Sequence, residues 1–160
     1  MEITEHSFSS ERHTSFYLSC GPKDGQPIIM LHGWPDLSIG WEEQLKFFGA
    51  QGYHAIAPDM RGYGSSSIPE NHSDYCMKEI VVDMMELLSS LGHKEAIWVG
   101  HDWGSPVVWN IALHHPEAVK GLVSLCVSAE KVSVSSVKLR KSVPLFMIQI
   151  PFTLEQYILP

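Results

Sequence analysis

Short runs in which nearly every residue is apolar limit what this chain can fold into more than any other feature. They occupy residues 27–31, 53–57, 96–99 and 122–127. A strand with one wet face alternates polar and apolar residues, whereas a strand covered on both faces reads as a continuous apolar stretch. Between the runs the spacing turns helical. Trp41, Leu45 and Phe48 make one stripe. Ile80, Val81, Met84, Leu87, Leu88 and Leu91 make a second that ends at Gly92, a C-cap residue. Val107, Val108, Ile111 and Ala112 make a third, starting after Gly104 and ending before Pro116. Buried strands that alternate with amphipathic helices predict an α/β fold, a mostly parallel sheet with helices on both faces. Residues 3–8 and 13–20 read as two further short strands joined by a polar turn.

The pattern fails from about Ser128. Residues 128–136 are polar, and residues 143–160 are apolar but broken by Pro144 and Pro151, too interrupted for a membrane span of ~20 apolar residues. The expected organisation is therefore residues 1–128 as the N-terminal part of an α/β core, with the sheet stopping after about its sixth strand. Residues 129–160 are the start of a lid or a divergent tail. At 160 residues with 44% hydrophobic and 18% charged side chains, the chain suits one globular unit. A formal charge of −7 argues against a nucleic-acid surface, and the densest basic stretch, residues 138–141, reads as a solvated loop. Cys20, Cys76 and Cys126 have no metal-ligand spacing and suit reduced thiols. With no basic and apolar leader after Met1, the expected location is the cytoplasm. Asn71-His72-Ser73 fits a glycosylation pattern that carries little weight in that setting.

The chemistry concentrates at Val99-Gly100-His101-Asp102-Trp103-Gly104-Ser105. It follows a buried strand and opens a helix. Gly100 and Gly104 stand two positions either side of Asp102, the spacing that permits a tight strand–turn–helix bend exposing one side chain above the sheet. Ser is the usual occupant of that bend. An Asp there can attack carbon directly and form an ester without first losing a proton to a base, and the helix N-terminus favours its ionised form. Asp102 alone would read as a helix cap; with both glycines and the strand, it reads as a nucleophile. A second stretch, Leu31-His32-Gly33-Trp34-Pro35-Asp36, follows the run at 27–31. A hydrolase of this design pairs a backbone N–H from that loop with the N–H after the nucleophile, which makes Trp34 and Trp103 the expected oxyanion donors. Gly33 permits close approach there, and Pro35 fixes the loop, through a cis bond if Trp34–Pro35 adopts one. Alone, this stretch also fits an ordinary turn. Asp59-Met60-Arg61-Gly62-Tyr63-Gly64-Ser65-Ser66 reads as a sharp structural connection, with an Asp59–Arg61 ion pair as its expected brace.

In this order and on these elements, HGWP, DMRGYGSS and GHDWGS closely resemble the α/β-hydrolase epoxide hydrolases, over about residues 3–127. In that family an Asp opens the epoxide to give an alkyl-enzyme ester. A His assisted by an Asp or Glu then activates water, and two lid tyrosines protonate the epoxide oxygen. The resemblance implies Asp102 as nucleophile, the Trp34 and Trp103 backbones as oxyanion hole, and Trp34, Pro35 and Trp103 as pocket walls. It leaves His32, Gly33, His101, Gly100 and Gly104 as structural support. It implies a small apolar epoxide and water as reactants, with no metal, no cofactor and no membrane span. The family's catalytic His and acid would fall beyond Pro160, so the chain is expected to be incomplete and impaired in turnover. Tyr157 matches no lid motif, and Glu130, where some related dehalogenases place their acid, reads as a surface residue. His114-His115 reads as a helix end rather than a metal site. Two alternatives stand beside this reading. Haloalkane dehalogenases share the Asp but usually carry Asn where Trp34 stands, and fluoroacetate-type enzymes carry Arg where Trp103 stands. A non-catalytic remnant or binding protein is the alternative of another class.

Overall fold

The computed structural model describes residues 1–125 and the strand Leu145–Ile148. Its seven strands are β1 (Thr4–Ser9), β2 (Thr14–Cys20), β3 (Pro27–Leu31), β4 (His54–Pro58), β5 (Ala96–His101), β6 (Val119–Leu125) and β7 (Leu145–Ile148). They form one sheet in the order β1-β2-β4-β3-β5-β6-β7. The first two pairings are antiparallel and the rest are parallel. Three helices connect the parallel strands: α1 (Glu42–Ala50), α2 (Met77–Ser90) and α3 (Gly104–His114). The fold class is thus the expected one. The apolar runs locate the strands to within a few residues, and β3 coincides with its run at both ends. Leu145–Ile148 adds a short strand to β6, where the expected sheet ended. There the local pattern is cut by Pro144 and Pro151, so the pairing is not legible in it. The remainder of the expected 129–160 tail, with Cys126, Glu130 and Tyr157, lies outside the described residues.

Burial on both faces accounts for the apolar runs. Every residue of β3 and β4 is buried. On one face Leu45 of α1, with Trp41 and Phe48, packs on Ile28, Met30, Ala55, Ala57 and Val99. On the other, Val81, Met84 and Leu88 of α2 and Val107, Val108 and Ile111 of α3 pack on Ile29, Leu31, Ile56 and Trp98. Trp41 itself ends a 3-10 turn, Ser38–Trp41, rather than starting α1. Gly92, at φ 78°, follows α2 in the left-handed conformation expected of a C-cap glycine. No helix among the described residues is long and apolar enough to cross a membrane.

The expected Asp59–Arg61 brace is corrected. Arg61 reaches Asp83 of α2 instead, with Nε donating to Oδ2 at 2.7 Å and Nη2 to Oδ1 at 2.6 Å. Asp59 turns inward and accepts backbone amides from Ser38 and Ser65. The oxygens of Asp59 are taken by backbone amides, whereas Asp83 presents both of its oxygens to the guanidinium fork from a helix.

His13, His32 and His54 are buried, which disfavours their charged form. His54 opens β4, its Nδ1 is 3.1 Å from His93 Nε2, and burial, with repulsion from His93, pushes its pKa down to about 4. Burial also lowers His93, His32 and His13. An unfolded histidine titrates near 6.5. Between that value and the folded one the unfolded chain binds more protons, so stability falls as pH falls. We predict a urea midpoint clearly lower at pH 5.5 than at pH 7.5, above the range where ordinary carboxylates titrate, with a shallower difference in His54→Gln. An unchanged midpoint across that window would contradict the buried neutral imidazoles.

Candidate functional site

β3 lies between β4 and β5, with α1 carrying the chain to one side and α2 to the other. Such a reversal opens a crevice at the carboxyl ends of the central strands. Leu31, the last residue of β3, is level with Gly100 of β5. The loop beginning at His32 and the bend at Asp102 are therefore neighbours because of strand register.

Asp102 has φ 49°, and among the described residues it is the one non-glycine with positive φ. This left-handed geometry costs an L-residue about 1–2 kcal/mol and persists where surroundings enforce it. Here the Asp102 N–H donates to the Leu125 carbonyl at 3.3 Å and its own carbonyl accepts the Ser105 N–H at 3.0 Å. Both flanking glycines are sterically required. A Cβ at Gly100 would fall 2.6 Å from the Gly104 carbonyl carbon and 2.8 Å from Ser105 Cα. One at Gly104 would fall 2.8 Å from the Leu31 carbonyl carbon. The spacing read from sequence thus corresponds to close passage of α3 over β5 and β3.

The half-buried Asp102 carboxylate faces the other loop. Trp34 N–H donates to its Oδ1 at 3.0 Å. Gly33 makes this possible, since a Cβ there would lie 2.6 Å from the same oxygen. The Trp34–Pro35 peptide is cis. Trp103 immediately precedes α3, at its N-cap position. Trp34, whose N–H holds the carboxylate, and Trp103, which follows Asp102, are 67% and 60% exposed, two large apolar residues open to solvent. Pro35 is exposed on the same loop.

The two histidines of the motifs differ. His32 is fully buried, with Nδ1–H donating to the Gly33 carbonyl at 2.8 Å and Nε2 accepting the Met60 N–H at 3.0 Å. Burial lowers its pKa, and both ring nitrogens are committed to hydrogen bonds within the protein. His101 is half-buried at the end of β5. Ser105 has a part that the motif alone does not reveal. Its hydroxyl, fully buried, lies 2.9 Å from the Gly100 carbonyl and 3.0 Å from the Leu125 carbonyl, fastening the bend to two strands. The one signal for it is a hydroxyl in the first turn of a helix. His115, beyond α3, lies 3.5 Å from Glu117, and no metal-capable group of three side chains occurs among the described residues.

A family model described as the alpha/beta hydrolase fold matches residues 26–157. The chain belongs to that family. Epoxide hydrolases are among the proteins it resembles. The chain is 43% identical over 106 residues to epoxide hydrolase A of Mycobacterium tuberculosis, covering 66% of this chain and 33% of that protein. It is 35% identical over 130 residues to the bifunctional epoxide hydrolase 2 of Rattus norvegicus, covering 80% and 24%. The crystal structure of epoxide hydrolase A from Mycobacterium thermoresistibile superposes with a TM-score of 0.76 at 36% identity, over 79% of this chain and 40% of that one. The chain therefore spans less than half the length of these relatives.

Proposed function

We propose that this chain forms the nucleophile-bearing part of an epoxide hydrolase, acting on small apolar epoxides with water as second reactant. The observation that carries the reading is the Trp34 N–H bond to Asp102 Oδ1, at the crevice end of the sheet. A donor fixed on one oxygen orients the carboxylate and leaves the other to attack. A lone pair on that oxygen forms a bond to an epoxide carbon. The carbon–oxygen bond of the ring breaks, and the departing oxygen takes a proton from an acid outside the described residues. The ester carbonyl oxygen that results is then held by Trp34 N–H, with Trp103 N–H at the head of α3 as its second donor. Ester hydrolysis follows attack by water. The flanking indoles suit apolar substituents, and a Trp rather than an Asn at position 34 favours an epoxide over a haloalkane.

The test is trapping of the ester. The protein is incubated with excess styrene oxide, quenched in acid and analysed by intact mass and peptide mapping. One added epoxide mass on the Asp102 peptide is expected, and its loss in Asp102→Ala. Labelling that persists in the variant would refute the assignment. No imidazole among the described residues hydrogen-bonds to Asp102, and in the isolated 160-residue chain the ester is expected to persist rather than turn over. Sustained diol release beyond one equivalent would refute that.

A further inference from the structure

Asp59 is a buried carboxylate, 3% exposed, that the proposed chemistry does not use. It stands directly after β4, in a segment fastened to the neighbouring elements. Its N–H donates to the Phe16 carbonyl at 2.9 Å, Ser66 Oγ donates to its carbonyl at 2.6 Å, and Arg61 two residues on is tied to α2. Its two carboxylate oxygens point in different directions. Oδ2 accepts the Ser65 N–H at 3.1 Å, within its own loop. Oδ1 crosses to the other loop and accepts the Ser38 N–H at 2.9 Å. Gly64, at φ 52°, is the residue that lets the chain wrap this closely, since any Cβ there would land on Oδ2.

The same two segments meet once more, at Met60 N–H and His32 Nε2. The loop that follows β3 is thus tied to the segment after β4 at both ends, through His32 where it leaves the strand and through Ser38 where it enters the 3-10 turn. Between the two ties stands Trp34, whose N–H holds Asp102. From this geometry we infer that Asp59 is a positioning residue for the Trp34 amide, an inference that rests on Asp102 as the attacking group. A charged acceptor suits this task. Charge-assisted bonds to backbone amides are short and roughly twice as strong as neutral ones, and burial removes competing water. Loss of the Ser38 tie lets the loop lift, and misplacement of a reacting or holding group by about 1 Å can cost 100-fold in rate.

The experiment compares native protein with Asp59→Asn and Ser38→Pro. Asp59→Asn keeps the shape but sets an amide where two N–H groups need acceptors. Ser38→Pro removes the donated N–H, along with the Ser38 hydroxyl, and leaves the Asp59 carboxylate in place; it falls at the first position of the 3-10 turn, and Leu37 already has the extended backbone (φ −137°, ψ 176°) that a following proline requires. Alkylation of Asp102 by styrene oxide is followed by mass across concentrations, well below each variant's melting temperature. The expected result is a maximal alkylation rate lower by about 10- to 100-fold in both variants, with half-saturation little changed. In 15N-labelled protein the Trp34 amide proton should move upfield, toward its position in Asp102→Ala. A maximal rate within twofold of native in a folded variant, with the Trp34 resonance unmoved, overturns the inference and leaves Asp59 a purely structural brace. Absence of any Asp102 adduct in native protein would instead defeat the nucleophile reading, while the Trp34 resonance would still decide whether Asp59 places that amide.

Discussion

Asp83→Ala is expected to lower the unfolding free energy by about 3–5 kcal/mol, the cost of leaving one partner of a buried ion pair unmatched. The pair is bidentate, with the Asp83 side chain 0% and the Arg61 side chain 4% exposed. Arg12 adds a longer contact to the same carboxylate at 3.3 Å and also reaches Glu79 and Glu86 on the same helix. Removing Asp83 takes from the Arg61 guanidinium, at a place nearly closed to solvent, the acceptor of two charge-assisted bonds. A loss of that size is a large fraction of the roughly 5–15 kcal/mol that holds a domain folded. Urea unfolding followed by tryptophan fluorescence measures it. The diagnostic comparison is the double variant Arg61→Met with Asp83→Leu. Replacing both charges with apolar groups of similar size is often neutral or stabilising, so the double variant should recover most of the loss. A double variant as unstable as the single would mean that the cost comes from packing around Asp83 and not from the stranded charge.

The consequence reaches the site. Arg61 anchors the segment that carries Asp59, and Asp59 spans to the loop that carries Trp34. The single variant should therefore also slow Asp102 alkylation, more than a loss of stability remote from this loop would.

The parts of this arrangement that are legible in the sequence are those set by local pattern. A strand buried on both faces has little choice but to be apolar, so β3, β4 and β5 announce themselves. A bend that brings a helix back across its own strand needs small residues at fixed offsets, so Gly100 and Gly104 single out Asp102 by spacing alone. The ties between loops are less visible. Asp59 and Arg61 are adjacent enough in sequence to pair on paper, yet their partners lie 21 and 22 residues away, at Ser38 and Asp83. Those partners become neighbours only when β3, β4 and α2 assemble. One signal for Asp83 is present. It interrupts the stripe of Val81, Met84, Leu87 and Leu88, and a carboxylate on the buried side of a helix requires a cation opposite. No comparable mark distinguishes Asp59, because acceptance of two backbone amides leaves no residue-type pattern.

Gly33→Ala tests the contact on which the site depends, and a fall in Asp102 alkylation by about 100- to 1000-fold is expected, the scale of losing one oxyanion-hole donor. The added methyl would sit 2.6 Å from Asp102 Oδ1 and 2.9 Å from Cγ, and closer still to Cβ. Rotation about the side chain cannot relieve the clash at Cβ, whose position is set by the backbone. That backbone is held at φ 49° through Leu125 and Ser105. One of the two loops must then retreat, and either movement lengthens the bond from Trp34 N–H. Global stability should fall far less steeply, by about 1–3 kcal/mol for an added methyl in a packed position, because the bulk of the core lies beneath the sheet ends. The measurement is the initial rate of adduct formation beside a thermal melt and a near-ultraviolet circular dichroism spectrum. A folded Gly33→Ala protein that labels Asp102 at the native rate would show that the close approach of the two loops is dispensable, and with it the role assigned to the Trp34 amide.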